Sequence, residues 1–230
     1  MDLLEWSILA TIGAIVFLDA WPIGQTMLSR PIVTGPLAGL ALGDPGEGAF
    51  WGAVFEAVYL GVLPVGAARY PDAGLAALVG TVVAVAGPGT EAAGYLVAVA
   101  VVAGELGDRV TLIQRRWNGR AAMRVRRRVA EGDLRAPGRA IAGALARGAV
   151  IGATISIVAV TLALAGLAIV EGTVWSGPVS REWLRMAALA AVAVSGGRLF
   201  LERRSGKLAW AAGLAGVAGL AWWAGGVPSA

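Results

Sequence analysis

From Val150 to Val170 the chain runs without a charged side chain and is predominantly apolar on every helical face. A helix in a soluble domain keeps one polar stripe toward water, so a segment without one belongs among other helices or in lipid. Met186 to Val194 has the same character. Hydrophobic residues make up 57% of the sequence and charged residues 15%, with a mean hydropathy of +0.72. The reading is an all-α, polytopic membrane protein. At about 20 residues per crossing, its 230 residues allow roughly seven or eight hydrophobic segments, counting re-entrant or broken half-helices. A single integral membrane domain, residues 1–230, is expected.

The segments follow from the apolar runs and their breaks. Leu3 to Leu18 reads as a first span that is retained rather than cleaved, because no basic leader precedes it. It ends at Asp19 and the Trp21-Pro22 pair. Pro31, suited to a first helical turn, opens a short helix to Leu42 that cannot cross alone. Gly46 to Leu63 is read as long enough to span. Pro64 to Pro71 then breaks the chain before the short apolar piece Ala73 to Ala86. Further spans are expected at Glu91 to Gln114, Gly148 to Val170, Trp183 to Leu201 and Leu208 to Ala224.

Ten arginines lie between Arg115 and Arg147, so this stretch is read as a basic loop on the cytoplasmic side of a bacterial inner membrane. Contact with anionic membrane lipids is one use for it, and docking of an acidic or phosphorylated partner another. Nucleic acid is not expected: the stretch has a single Trp117, no series of stacking aromatics and no binding motif. With that anchor, both ends of the chain are expected outside.

Charges and helix breaks inside apolar sequence mark candidate function, because they are tolerated only where protein or a water-filled cavity surrounds them. Glu56 falls near the middle of its helix, where a carboxylate costs about 2.5–3.5 kcal/mol. It is either a sugar-hydroxyl acceptor, a protonatable relay, or one half of a helix-to-helix pair with Arg30 or Gln25. Asp72 precedes an apolar helix and is placed to cap it. The preceding loop offers backbone N–H and C=O groups, with Gly66 and Ala67 small enough for a ligand to approach. Asp19, Gln25 and Arg30 form a second polar set, Arg30 serving equally as an interfacial anchor. Glu105, Asp108 and Arg109 lie toward a helix end and are expected to be solvated or paired.

Gly35, Gly39 and Gly43 recur every four residues, as do Gly48 and Gly52, giving each short helix a face that admits close backbone packing. Histidine and cysteine are absent, which removes the usual general base, the phosphoryl-accepting imidazole and any thiol chemistry. The chain is expected to have no catalytic residues, cofactor or metal.

The ordered set Asp19, Gln25, Arg30-Pro31, Gly35-Pro36-Leu37, Gly43-Asp44, Gly48, Gly52, Glu56, Leu60-Gly61, Pro64-Val65-Gly66-Ala67-Ala68, Pro71-Asp72 and Gly80-Thr81 resembles the IIC membrane subunit of the mannose/fructose/sorbose class of the bacterial phosphotransferase system. The resemblance covers about the first 90 residues. It implies a sugar-translocating subunit that pairs with a IID membrane subunit, in an oligomeric assembly served by cytoplasmic IIA and IIB phosphoryl carriers. It also implies an elevator-like motion of a core that contains the half-helices. By position, Glu56, Gly66, Ala67, Asp72 and Gln25 fall in the hexose-binding region. Two other functions remain open: a non-transporting regulatory subunit on the same scaffold, and an ion-coupled carrier that uses Glu56.

Overall fold

The computed structural model describes residues 1–20, 26–60, 70–87 and 93–173. Among them are six helices and no strand: α1 (Leu3–Ala20), α2 (Pro31–Ala41), α3 (Pro45–Tyr59), α4 (Ala73–Ala86), α5 (Ala93–Ala130) and α6 (Ala136–Thr173). The expected spans Trp183 to Leu201 and Leu208 to Ala224 lie outside the described residues. Two of the described helices, α1 and the Ala136–Ile169 part of α6, are long and apolar enough to cross a membrane.

The helix ends are set by local chemistry. Asp2 and Glu5 form a reciprocal capping box at the start of α1: the Glu5 amide donates to Asp2 Oδ1 at 2.8 Å and the Asp2 amide to Glu5 Oε2 at 2.7 Å. Pro31 and Pro45 occupy the first turns of α2 and α3, where their missing N–H costs nothing. At the end of α2 the Asp44 amide donates to the Gly39 carbonyl at 2.9 Å and the Gly43 amide to the Leu40 carbonyl at 3.3 Å. This is a Schellman turn, and it needs the left-handed conformation that Gly43 adopts, with φ of 83°. Asp44 then caps α3 by accepting from the Glu47 amide at 2.9 Å. Two short helices are thereby folded back into a hairpin within three residues.

The glycine faces close that hairpin. A Cβ placed on Gly35 would lie 2.5 Å from the Gly52 Cα and 2.5 Å from the Gly48 carbonyl oxygen. Backbone meets backbone there, which in lipid substitutes for the hydrophobic drive that is missing between helices. At 15 residues, or about 22 Å, α3 is too short to cross a hydrocarbon layer of about 30 Å. Of the span expected at Gly46 to Leu63, the last three residues lie outside the described residues. Its helix stops at Tyr59, just ahead of Gly61 and Pro64.

Helix α4 is the centre of the molecule, with every residue from Gly74 to Val83 buried. The α2–α3 hairpin packs on one side of it and α5 and α6 on others, while α1 lies chiefly along α6. Leu78, Val79, Val82 and Val83 of α4 meet Phe55 of α3, Leu9 of α1 and Val160 of α6 in one continuous core.

The basic stretch is not a loop. Helix α5 continues past Gln114 to Ala130, and α6 starts at Ala136 rather than at Gly148, so nearly all of residues 115–147 are helical. Arginine, alanine and methionine are good helix formers, and Gly119 alone is too weak a break to end the helix. The reversal comes at Gly132, whose φ of 94° ends the helical path.

Candidate functional site

The Gly35–Gly52 contact determines where Glu56 sits. Gly52 lies against the first turn of α2, its absent Cβ leaving 2.7 Å to the Pro31 carbonyl oxygen. One turn further along α3, the Glu56 side chain therefore reaches the N-terminus of α2. There it forms an ion pair with the Arg30 guanidinium and accepts a hydrogen bond from the Ile32 amide at 3.3 Å. Arg30 is the N-cap residue of α2 and supplies no side-chain cap of its own. The cap comes instead from a neighbouring helix, and its negative charge sits at the positive end of the helix dipole. Of the two partners expected for Glu56, Arg30 is the one observed. Gln25 lies outside the described residues, as do Gly66 and Ala67.

Arg30 is itself delivered by Asp19. The Asp19 carboxylate, 5% exposed, accepts from the Thr26 amide and hydroxyl, both at 2.6 Å, and from the Ser29 amide at 2.9 Å. These three bonds tie the turn at residues 26–29 to the end of α1. Within it Met27 adopts a φ of 67°, a strained conformation for a side chain of that size. Thr34 adds a bond from its hydroxyl to the Leu28 carbonyl at 3.0 Å.

Asp72 occupies the capping position that its place in the sequence suggests. Its Oδ1 accepts from the Leu75 amide at 2.9 Å, and its own amide donates to the Gly104 carbonyl of α5 at 2.9 Å. A Cβ on Gly107 would come 2.5 Å from the Asp72 Cβ, so α5 must carry glycine where it passes. Asp72, Gly13, Ser156 and five apolar side chains also line a small crevice between α1, α4 and α6. Two residues on, a Cβ on Gly74 would be 2.7 Å from the Ser29 carbonyl oxygen. Ser29 is the residue before Arg30. The turn that presents Arg30 to Glu56 thus rests on the first turn of α4, and the two candidate carboxylates belong to one packed unit.

Sequence reasoning passed over Tyr59. Its side chain is 7% exposed and its hydroxyl has no hydrogen-bond partner among the described residues. It approaches Gly104, where an added Cβ would be 3.0 Å from the hydroxyl oxygen and 3.3 Å from the Asp72 carbonyl oxygen. A tyrosine three residues after Glu56 in an apolar helix was the available signal.

Comparison with known proteins decides the family. Residues 3–140 match the family model described as the PTS system sorbose-specific IIC component, more than half of the chain. The chain is a IIC subunit of the mannose/sorbose phosphotransferase family. Relatives of this IIC chain include the putative N-acetylgalactosamine permease IIC component 2 of Escherichia coli K12, 38% identical over 85 residues. The mannose-specific EIIC component of the same organism is 36% identical over 86 residues, and the sorbose-specific EIIC component of Lacticaseibacillus casei is 30% identical over 98. These alignments cover 37%, 37% and 43% of the IIC chain. They span 63% of the first relative's length and about a third of the other two.

Two solved structures share the fold of this IIC chain. One, described as a membrane protein, superposes with a TM-score of 0.72 at 22% identity, covering 90% of this chain and 83% of its own. The other is a complex of the mannose transporter ManYZ with microcin E492, with a TM-score of 0.63 at 22% identity, covering 100% and 89%. The family is one of membrane permease subunits for phosphotransferase sugar transport, which agrees with a chain that lacks histidine and cysteine.

Proposed function

We propose that this chain is the sugar-translocating subunit of a mannose/fructose/sorbose-type phosphotransferase system, binding a hexose and moving it across the bacterial inner membrane for phosphorylation by a partner. The observation that carries this reading is the Glu56 carboxylate, held at the N-terminus of half-helix α2 by Arg30 and the Ile32 amide. An ionised carboxylate accepts from two adjacent hydroxyls, and a hydrogen bond to a charged group contributes about 1.5–3 kcal/mol. Its Arg30 partner holds it in one orientation, which favours hydroxyl recognition over the proton relay of an ion-coupled carrier.

Around that group the site is completed by Asp72 at the start of α4, by Gln25, and by the Gly66-Ala67 backbone. Short helices ending at a common place, with dipole ends and capping carboxylates directed at it, are the construction that transporters use for midplane sites. The α2–α3 hairpin and α4, packed through glycine, move as one body against α5, α1 and α6. The basic 115–147 segment faces the cytoplasm. A IID membrane subunit completes the translocation unit, and IIA and IIB proteins supply the phosphoryl group, whose transfer makes uptake irreversible. Relatives named for mannose, sorbose and N-acetylgalactosamine point to a hexose or amino sugar.

The test is a titration of candidate hexoses into the protein co-purified with its IID subunit, followed by tryptophan fluorescence. Saturable binding that Glu56→Gln weakens supports the permease. A stable complex that binds no hexose supports a regulatory subunit. Uptake that dissipates a proton gradient without a phosphoryl donor supports the ion-coupled carrier.

A further inference from the structure

The buried seam of α5 changes character along its length. Leu96, Ala100 and Ala103 open it with apolar side chains, none more than 3% exposed. Gly107, Thr111, Gln114 and Asn118 continue it at intervals of three or four residues, which keeps them on the same helix face. Polar side chains on such a seam ordinarily hydrogen-bond across to the next helix. One pair does so here, the Arg147 guanidinium of α6 donating to the Asn118 side-chain oxygen at 3.1 Å.

Further along the seam the partners are missing. Among the described residues five buried side-chain atoms have no hydrogen-bond partner, and three of them are Thr111 Oγ1, Gln114 Oε1 and Arg147 Nε. Thr111 and Gln114 are 5% and 6% exposed. Gln114 lies between two neighbouring helices: a Cβ on Gly148 of α6 would be 3.0 Å from Gln114 Nε2 and 2.9 Å from Leu18 Cδ2 of α1. Burial inside a single chain leaves lipid or a second subunit no access to these groups.

Water meets the requirement. Buried polar groups in native proteins are bonded to protein or to ordered water, with few exceptions. Arg147 Nε can only donate, Gln114 Oε1 can only accept, and the Thr111 hydroxyl does both, so a short file of water satisfies all three. From Thr111 to Asn118 the file covers two turns, roughly 10 Å. At its inner end Gly107 lies against Asp72, an added Cβ there falling 3.2 Å from the carboxylate Oδ2. At its outer end Asn118 is half-buried and Gly119 faces open space.

We propose that this seam lines a water-filled path from the Asn118–Arg147 pair, past Gln114 and Thr111, to the Asp72 carboxylate, with water and hydroxyl groups as its ligands. Use of the path by a hexose rests on the permease reading above; the water path itself does not.

The sequence has no cysteine, so Thr111→Cys, Gln114→Cys and Leu96→Cys each place a single thiol on the seam of the full chain in lipid nanodiscs. Iodoacetamide, a small neutral alkylating agent, is the probe at about pH 8.5, because a thiol reacts as its thiolate and apolar surroundings keep it protonated. Thr111→Cys and Gln114→Cys are expected to react about tenfold or more faster than Leu96→Cys, although the three native side chains are buried to a similar degree. Equally slow rates at all three positions overturn the proposal. So does a fast Gln114→Cys beside a slow Thr111→Cys, which confines water to the outer end. A Leu96→Cys thiol as fast as the others overturns it too, because the helices then open as a whole.

Thermal unfolding of Thr111→Val is the second measurement, since valine keeps the shape and removes the hydroxyl. On a dry seam it relieves an unpaired group and raises Tm, whereas on a hydrated seam it deletes a bonded one. An unchanged or lower Tm is expected, and a rise overturns the proposal. None of these readouts involves a sugar, so a parent protein that binds no hexose counts against the permease reading alone.

Discussion

Gly35 and Gly52 meet backbone to backbone, and this contact puts Glu56 against the start of α2. The close approach and the ion pair are mechanically linked, because moving α3 outward by even one methyl group would draw the carboxylate away from Arg30 and the Ile32 amide. Gly52→Ala is expected to destabilise the protein by about 1–3 kcal/mol, the usual cost of overpacking. Gly138→Ala, where an added Cβ meets nothing within 4 Å, is the control. It should be neutral or stabilising by up to about 1 kcal/mol. Thermal unfolding in detergent distinguishes them, and equal effects would mean that the glycine contact does not hold the hairpin together.

Asp72 caps α4, so Asp72→Ala should cost about 0.5–2 kcal/mol in stability. Asp72→Asn keeps an accepting oxygen at the cap and should unfold near the wild-type temperature. Weaker hexose binding by the asparagine variant would then report a ligand contact separate from capping. If alanine and asparagine destabilise equally, the Asp72–Leu75 bond is not what holds this helix end.

Asp19 satisfies two backbone amides and one hydroxyl in the turn that carries Arg30. Asp19→Ala leaves those donors without their acceptor and should cost about 1–3 kcal/mol. Asp2→Ala removes only an exposed cap at the start of α1 and should cost about 1 kcal/mol or less. Denaturation of the two variants side by side checks the order, and a larger effect at Asp2 would contradict the role given to Asp19.

The Tyr59 hydroxyl is buried without a partner among the described residues. Tyr59→Phe removes the unmet group and keeps the ring, so the sugar-free protein should be unchanged or more stable by about 1 kcal/mol. A clear loss of stability, read by the same unfolding assay, would mean that the hydroxyl is satisfied in solution.

Much of this arrangement is legible in the order of residues, for reasons that differ from one feature to the next. Pro31, Gly43-Asp44-Pro45 and Asp72 each fix a backbone conformation or a cap locally, so the short helices and the Asp72 cap follow from neighbours in sequence. The four-residue glycine spacing also shows, because small-residue faces in lipid have one main use. The partner of Glu56 was narrowed only to Arg30 or Gln25, since the pair spans 26 positions and depends on how two helices cross. The helical backbone of residues 115–147 is not legible for a different reason. Positive charge marks the side of the membrane on which a segment lies but does not report its backbone, and arginine-rich sequence readily continues a helix into water. Tyr59 was missed because an isolated tyrosine in an apolar helix is ordinarily a packing residue; only its meeting with Gly104 and Asp72 sets it apart.

Glu56 carries the account's central claim, and hexose titration of Glu56→Gln tests it most directly. Glutamine retains the size of the side chain and one accepting oxygen but loses the charge. Beside its IID partner, the wild-type protein should bind a hexose saturably, and the variant should bind the same sugar about 10–100-fold more weakly while remaining folded, the loss expected for a charged hydrogen bond. Equal affinity in the two proteins would contradict the assignment of Glu56 to the sugar site and leave it as the cap of α2 alone.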